Sequence, residues 1–337
     1  MSAGSIARGV FSVLSGKLFV TLPVPNTDLR GQTYIVSGSN TGLGFEATRH
    51  LSRLGAEKLI MAVRSIAKGE AAKREILKST GRNESSIEVW ELDMDSYDSV
   101  KTFAARVTDT LPRVDGVLAN AGLLRDVFEV SEDNEQTITV NVVSTFLLFL
   151  LLLPKLRESA KQFNTHPRFT TVNSALHHMA PLKELEREDG RIFDRLNDPK
   201  TSDMAARYPI SKLLTLYAVR DFAERLKASS KGSTVVINSA NPSFCKSGLL
   251  NSTKDAGSLG TKLQEKALAR STEEGSRALV HGVTAGPETN GHYLNNCHIQ
   301  TPSSSVTSAK RVHIQKRFSE ELFAKLVKIA PEVSSYL

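Results

Sequence analysis

From residue 32 onward, short runs of β-branched and apolar residues alternate with longer stretches of helical periodicity, a pattern that few folds can accommodate. The strand-like runs fall near 33–37, 58–63, 87–92, 115–119, 168–173, 234–239 and 291–295. Helical patterns occupy about 42–55, 66–79, 96–110, 131–161, 205–229 and 259–285, with a last one near 318–328. A strand that returns through a helix re-enters the sheet parallel to itself. The alternation therefore predicts an α/β fold, a parallel sheet covered by helices on both faces. Ligands of open parallel sheets lie beyond the carboxyl ends of the strands, so the loops leaving those ends are where chemistry is expected. Two connections exceed the usual length: 175–204, rich in charge and containing Gly190, and the Ser-rich stretch 301–310.

The chain has 337 residues, enough to bury a large core, and its 40% apolar and 23% charged residues are those of an ordinary globular protein. One main domain is expected. Cys245 and Cys297 are too few for a disulfide framework and lack metal-ligand partners at short spacing. No metal site is expected, and a reducing, cytoplasmic setting is. The net charge of +7 comes from cations scattered among acids. There is no basic stripe and no aromatic platform, so nucleic acid is not an expected partner, whereas a phosphate-bearing ligand is compatible. Near the N-terminus, apolar runs at 10–14 and 18–20 are flanked or interrupted by Arg8 and Lys17. They fall far short of the about 20 residues a membrane span needs. Residues 1–30 are expected to be an extension packed on the body, with contact to a membrane surface as the alternative. The greasy run 146–153, ended by Pro154, suits a buried or subunit-interface helix and leaves a homodimer open.

Two local patterns carry chemistry. The first strand runs into Gly38-Ser39-Asn40-Thr41-Gly42-Leu43-Gly44 and then into a helix. Glycines there let the backbone approach a pyrophosphate whose charge rests on the helix-start amides, which points to a dinucleotide. The second pattern is Tyr208 with Lys212, four residues apart on one helix face. A phenol with a pKa of about 10 is a poor acid or base at neutral pH, and a fixed ammonium nearby is expected to favour the phenolate. Taken alone, the same spacing fits a half-buried Tyr with a snorkelling Lys.

With their neighbours, these motifs resemble the short-chain dehydrogenase/reductase family over about residues 30–300. Ser37-Gly38-Ser39-Asn40-Thr41-Gly42-Leu43-Gly44 is similar to the family's TGxxxGxG, with Ser for the first Thr. The resemblance implies a single Rossmann-type doubly wound sheet of about seven strands in the order 3-2-1-4-5-6-7. It divides the chain into an extension 1–30, a nucleotide-binding domain 31–300 that includes a substrate loop at 175–204, and a C-terminal loop and helix at 301–337. It also implies roles. Gly38, Asn40, Thr41, Gly42, Leu43 and Gly44 would cradle the cofactor, Asp93 would meet the adenine, and Asn120 and Gly122 of Asn120-Ala121-Gly122 would border it. Ser174, Tyr208 and Lys212 match the catalytic set, with the Lys also holding the nicotinamide ribose, and Asn141 matches the Asn that holds a water in the proton relay. Pro242 and Ser247 match the PGxxxT segment near the nicotinamide, with Ser243 and Ser247 replacing the family's Gly and Thr. The interval from Ser174 to Tyr208 is longer than is typical, consistent with an enlarged loop over the substrate side.

The second strand is followed by Arg64 and Ser65 rather than by an acid. An acid there would bond the ribose hydroxyls of NAD and repel a 2′-phosphate; a guanidinium and a hydroxyl attract it, so NADP(H) is the expected cofactor. Further phrases, among them Trp90-Glu91-Leu92-Asp93-Met94 and Asn241-Pro242-Ser243-Phe244-Cys245-Lys246, resemble fungal members of the retinol-dehydrogenase-like branch. That implies hydride exchange between an alcohol and a carbonyl of an apolar secondary metabolite, such as a polyketide or terpenoid. A retinoid or steroid dehydrogenase, or a cofactor-binding protein without turnover, are the alternatives. His177 and His178 could touch substrate or be solvated, and Cys245, with no base in view, is expected to be a packed thiol.

Overall fold

A computed structural model describes residues 20–229, 234–246, 249 and 269–337; the expectations for the first 19 residues and for Ser247 lie outside the described residues. Among the described residues the main sheet has eight strands: β1 (Thr33–Ser37), β2 (Lys58–Val63), β3 (Ile87–Glu91), β4 (Gly116–Ala119), β5 (Arg168–Val172), β6 (Val236–Asn241), β7 (Tyr293–Asn295) and β8 (His298–Gln300). Their order is β3-β2-β1-β4-β5-β6-β7-β8, and all pairs are parallel except β7 with β8. The expected order holds, and one antiparallel strand is added at its edge. The Asn296–Cys297 turn that makes the addition lacks the glycine that usually advertises a two-residue hairpin.

The pleat sends alternate residues of β1 to two cores. Ile35, with Ile60 and Val117 from its neighbours, faces a large cluster under α3 (Tyr97–Thr110), α4 (Thr145–Phe163) and α5 (Met204–Ala228). Tyr34 and Val36, with Leu59 and Leu118, face a smaller one under α1 (Gly42–Arg53), α2 (Ile66–Thr80) and α6 (Thr272–Thr284). Both faces are thus covered, as near-continuous apolar strands require.

The expected helix 131–161 is revised at two points. Its first residues form a small antiparallel ribbon, Val130–Ser131 with Asn134–Glu135. A π-helical turn, Thr139–Ser144, precedes α4. Pro154, which ends the greasy run, lies inside α4, as the expected span allows. A proline in a helix interior costs about 3 kcal/mol. Phe146, Leu147, Leu148, Phe149, Leu150, Leu152 and Leu153 are each fully buried, and at about 1.5–3 kcal/mol apiece their burial outweighs that cost. The stretch Gln136–Phe163 is long and apolar enough to cross a membrane, yet 89% of its most apolar 18-residue window is buried inside this fold.

The long connection 175–204 is built, not loose. It contains three short helices, Ala175–Met179, Lys183–Glu186 and Ile192–Leu196. Its Leu185, Ile192 and Leu196 join the larger core together with Phe318 and Leu322 of α7 (Val312–Ile329). The Glu321 carboxylate of α7 accepts from the Ile192 and Phe193 amides at 3.1 and 3.2 Å, supplying the helix cap that Arg191 does not. Arg317 donates to the Leu185 and Arg187 carbonyls at 2.8 and 2.7 Å.

Candidate active site

Because β1 to β7 run parallel, their carboxyl ends share one edge, and nearly every expected site residue lies just beyond it. At β1, Gly38 and Gly42 adopt φ of +64° and +60°, left-handed backbone that favours glycine. Gly44 serves close approach: a Cβ there would stand 2.5 Å from Asn120 Nδ2 and 2.6 Å from the Gly38 carbonyl oxygen. Asn120 donates to the Ser37 and Gly38 carbonyls at 2.9 and 3.2 Å. The Ser37 hydroxyl accepts from the Ala121 amide at 2.9 Å, so the Ser retains the one bond its position needs. Gly122 packs on Asn141, whose Oδ1 would lie 3.1 Å from a Cβ.

The cradle fits an anionic ligand. α1 starts at Gly42 with Thr41 as N-cap, and the Thr41 side chain makes no capping bond; no acid occupies the first turn. The start of α1 therefore keeps amides and a positive dipole end for a phosphate. Ser39 is fully buried and its hydroxyl has no protein partner among the described residues. Asn40 and Leu43 are half-buried on the same loop. Beyond β2, Arg64 is exposed and makes no hydrogen bond or ion pair among the described residues. Ser65 is the N-cap of α2 yet makes no side-chain cap bond, which leaves its hydroxyl beside Arg64. Beyond β3, half-buried Asp93 accepts from the Asp95 amide at 3.0 Å in an Asx turn, and its own amide donates to Ser99 Oγ at 2.9 Å.

The candidate acid-base group sits at the end of β5. Tyr208 and Lys212, on α5, are both nearly buried, with Lys212 Nζ 5.3 Å from the Tyr208 ring centroid. The Ser174 side chain lies close enough to the phenol to lower its pKa, while its Oγ accepts from the Leu176 amide at 3.2 Å. Lys212 Nζ donates to the Val172 carbonyl at 2.8 Å, and Asn173, just before Ser174, donates to the Lys212 carbonyl at 3.2 Å. The expectation that the ammonium favours the phenolate needs correction here. Burial raises the Tyr208 pKa above its ordinary value, opposed only by the Ser174 side chain, and burial lowers Lys212 to about 8. The phenol is held protonated at neutral pH.

Asn141, in the π turn, accepts from the Leu123 amide at 2.9 Å and donates to the Leu123 carbonyl at 2.9 Å and to Ser211 Oγ at 3.1 Å. Its side chain therefore braces the β4 loop against α5. Only its main-chain carbonyl, approached by Thr215 Oγ1 at 3.5 Å, could hold a water. At β6, the Pro242 carbonyl accepts from the Cys245 thiol at 3.2 Å. Burial pushes that thiol up to about 12, which makes it inert packing.

His177 is fully buried. Its Nδ1 lies 2.7 Å from the Ser174 carbonyl oxygen and its Nε2 accepts from the Ser303 amide at 3.1 Å, so it ties the loop of Ser174 to the C-terminal segment. Arg207, next to Tyr208 in the chain, belongs to none of the sequence motifs. It is fully buried, pairs with Glu135 at 3.5 Å and Glu184 at 3.3 Å, and donates to Ser202 Oγ at 2.8 Å. It thereby clamps both ends of the 175–204 connection beside Tyr208. Neither role has a local sequence signal, because each partner is remote in sequence.

A family model for short chain dehydrogenases matches residues 32–164. The short chain dehydrogenase/reductase dmxR8 of Cryptosporiopsis sp. is 45% identical over 96% of this chain and 98% of its own length. The chain belongs to the short-chain dehydrogenase/reductase family. The short-chain dehydrogenase anuD of Penicillium roqueforti is 40% identical over 98% of this chain and 87% of that protein. Among solved family structures, a short chain dehydrogenase of Escherichia coli CFT073 complexed with NADPH has a TM-score of 0.59 at 22% identity, over 81% of this chain and 99% of that one. The E. coli oxidoreductase yciK has a TM-score of 0.60 at 21% identity, over 82% and 98%. These likenesses show the shared fold.

Proposed function

We propose that this family member is an NADP(H)-dependent oxidoreductase that interconverts a ketone or aldehyde with an alcohol. The observation that carries the proposal is the convergence of Ser174, Tyr208 and Lys212 at the strand ends, with the ammonium 5.3 Å from the phenol ring and bonded to the Val172 carbonyl two residues before Ser174. When bound, the cofactor supplies hydride to the carbonyl carbon. Tyr208 gives its proton to the carbonyl oxygen, Ser174 donates a hydrogen bond to that oxygen, and Lys212 adds positive charge next to both. The protonated phenol suits the acid role in carbonyl reduction, and in the reverse reaction the same oxygen takes the proton of the alcohol. The Asn141 carbonyl would hold the water that links Lys212 to solvent.

The cradle amides of 38–44 would hold the pyrophosphate, Asp93 the adenine end, and Asn120, Gly122 and Pro242 would flank the nicotinamide half. Arg64 and Ser65 would take a 2′-phosphate. Fungal relatives and the fungal motif phrases favour an apolar secondary-metabolite ketone, polyketide or terpenoid, over a retinoid or steroid. A protein that only binds cofactor has no need of a Tyr and a Ser beside a buried Lys.

A panel of ketones with NADPH, followed by nicotinamide absorbance, tests the activity. Tyr208→Phe is expected to reduce turnover about 10²–10⁴-fold while NADPH affinity stays near that of the wild type. Retained turnover refutes the role. Arg64→Gln is expected to weaken NADPH about tenfold, the loss of one charge-assisted contact, and to leave NADH unchanged. Equal effects on both nucleotides would sink the 2′-phosphate assignment.

A further inference from the structure

Five non-glycine residues have left-handed backbone among the described residues, and three of them, Ser243, Asn296 and Cys297, lie at the carboxyl ends of β6 and β7. Asn296 and Cys297 form the two-residue turn into β8, where such backbone is required. Ser243 has no such excuse. At φ +66° it stands just after Pro242, in the turn that borders the nicotinamide side of the cradle. An L-residue disfavours that conformation by a factor of roughly 5–30 in population.

Both turns meet at Arg270, whose side chain is almost wholly buried. Its Nη1 donates to Ser243 Oγ at 3.2 Å and to Asn296 Oδ1 at 3.0 Å. Its Nη2 donates to the Val20 carbonyl at 2.7 Å, and its Nε lies 3.5 Å from Glu274 Oε1. Its backbone is zipped to the same turn, the Arg270 amide donating to the Phe244 carbonyl at 2.8 Å and the Lys246 amide to the Arg270 carbonyl at 3.0 Å. A second bond holds Ser243 from the other side, its amide donating to Asn241 Oδ1 at 3.0 Å.

We infer that Arg270 is a positioning residue for cofactor binding: it offsets the strain of Ser243 and so fixes the Pro242 to Cys245 turn in its binding shape. The inference rests on the cofactor reading above. A brace of this kind makes a specific demand. Glycine, which adopts the left-handed backbone freely, needs no brace, whereas alanine keeps the strain and loses the bond.

The test is NADPH affinity of the full chain, measured by calorimetry or nicotinamide fluorescence, with the melting temperature of the apo protein beside it. Ser243→Gly is expected to bind within about twofold of wild type, and Ser243→Ala roughly tenfold more weakly. Arg270→Met is expected to lose roughly tenfold or more, and the double variant with Ser243→Gly to recover most of it. Equal binding by Ser243→Ala and Ser243→Gly overturns the brace, as does an Arg270→Met loss that glycine does not restore. If Arg270→Met does not fold, the alanine and glycine pair alone decides, since both keep the buried charge and remove the same Ser243 acceptor, differing only in backbone strain. Wild-type protein that binds neither NADPH nor NADH overturns the cofactor reading itself, and this inference with it.

Discussion

The two halves of the site are made in different ways. The cradle half, from Ser37 to Gly44 with Asn120 and Ala121, is shaped by backbone: glycines remove side chains, and Asn120 stitches the end of β4 to that of β1 through the Ser37 and Gly38 carbonyls. The half around Tyr208 is shaped by side chains drawn from remote segments. Arg207 meets Glu135 and Glu184, and His177 meets Ser303, contacts that span 72, 23 and 126 residues of chain respectively, the last as spaced in its bond. A backbone cradle tolerates few substitutions at a few fixed positions. A side-chain clamp can be rebuilt with other partners, and so lets one fold hold different substrates above an unchanged cofactor.

Methylating the cradle gives the largest expected contrast. In Gly44→Ala the new Cβ meets Asn120 and the Gly38 carbonyl, so the loop must shift. Such overpacking costs about 1–3 kcal/mol, and displacement of the phosphate amides is expected to weaken NADPH more than tenfold. Gly69→Ala is the control: its Cβ would meet only the Val89 and Val63 side chains, at 2.5 and 2.7 Å, outside the cradle. It is expected to lower the melting temperature by a similar amount and to leave NADPH affinity alone. If both variants lose cofactor equally, the cradle has no special rigidity. Glu184→Gln probes the other half with a smaller effect. It weakens the clamp on Arg207 without stranding a buried charge, so kcat/KM for the ketone selected by the panel is expected to fall roughly tenfold with NADPH affinity unchanged. A loss confined to NADPH affinity would merge the two halves.

The same difference explains what could be read from the chain. Seven strands and the cradle were legible because each depends on residues close in sequence: Val36 and Met61 declare buried strands, and Gly42 and Gly44 declare a turn against a helix start, whereas the strand order came through the resemblance. Tyr208, Lys212 and Ser174 were legible through motif resemblance, although their spacing alone was weak. The strand β8 was missed because Asn296–Cys297 turns without glycine. The orphan hydroxyl of Ser39, the Arg207 clamp and the structural role of His177 were illegible for another reason. Burial and distant partners define them, and neither is encoded within a short window.

The smallest expected effect concerns pH and again separates the halves. His177 is buried as a neutral imidazole, and burial, aided by the neighbouring His178, lowers its pKa from 6.5 to about 3. Below pH 6.5 the unfolded chain binds a proton at this position that the folded chain refuses. Its contribution is therefore complete above pH 6.5 and is lost as pH falls from 6.5 towards 3, by at most about 1.4 kcal/mol per pH unit. Protonation would also oblige Nε2 to donate where it now accepts from Ser303, loosening the C-terminal segment from the Ser174 loop. Melting temperatures between pH 7.5 and 5 are thus expected to fall more steeply for wild type than for His177→Gln, which is less stable at pH 7.5 but cannot take up that proton. The cradle contains no such group, so NADPH affinity should fall no more steeply with acid in wild type than in the variant. Parallel melting curves would mean that His177 takes up its proton as readily in the folded chain as in the unfolded one, and that the clamp half draws no acid sensitivity from it.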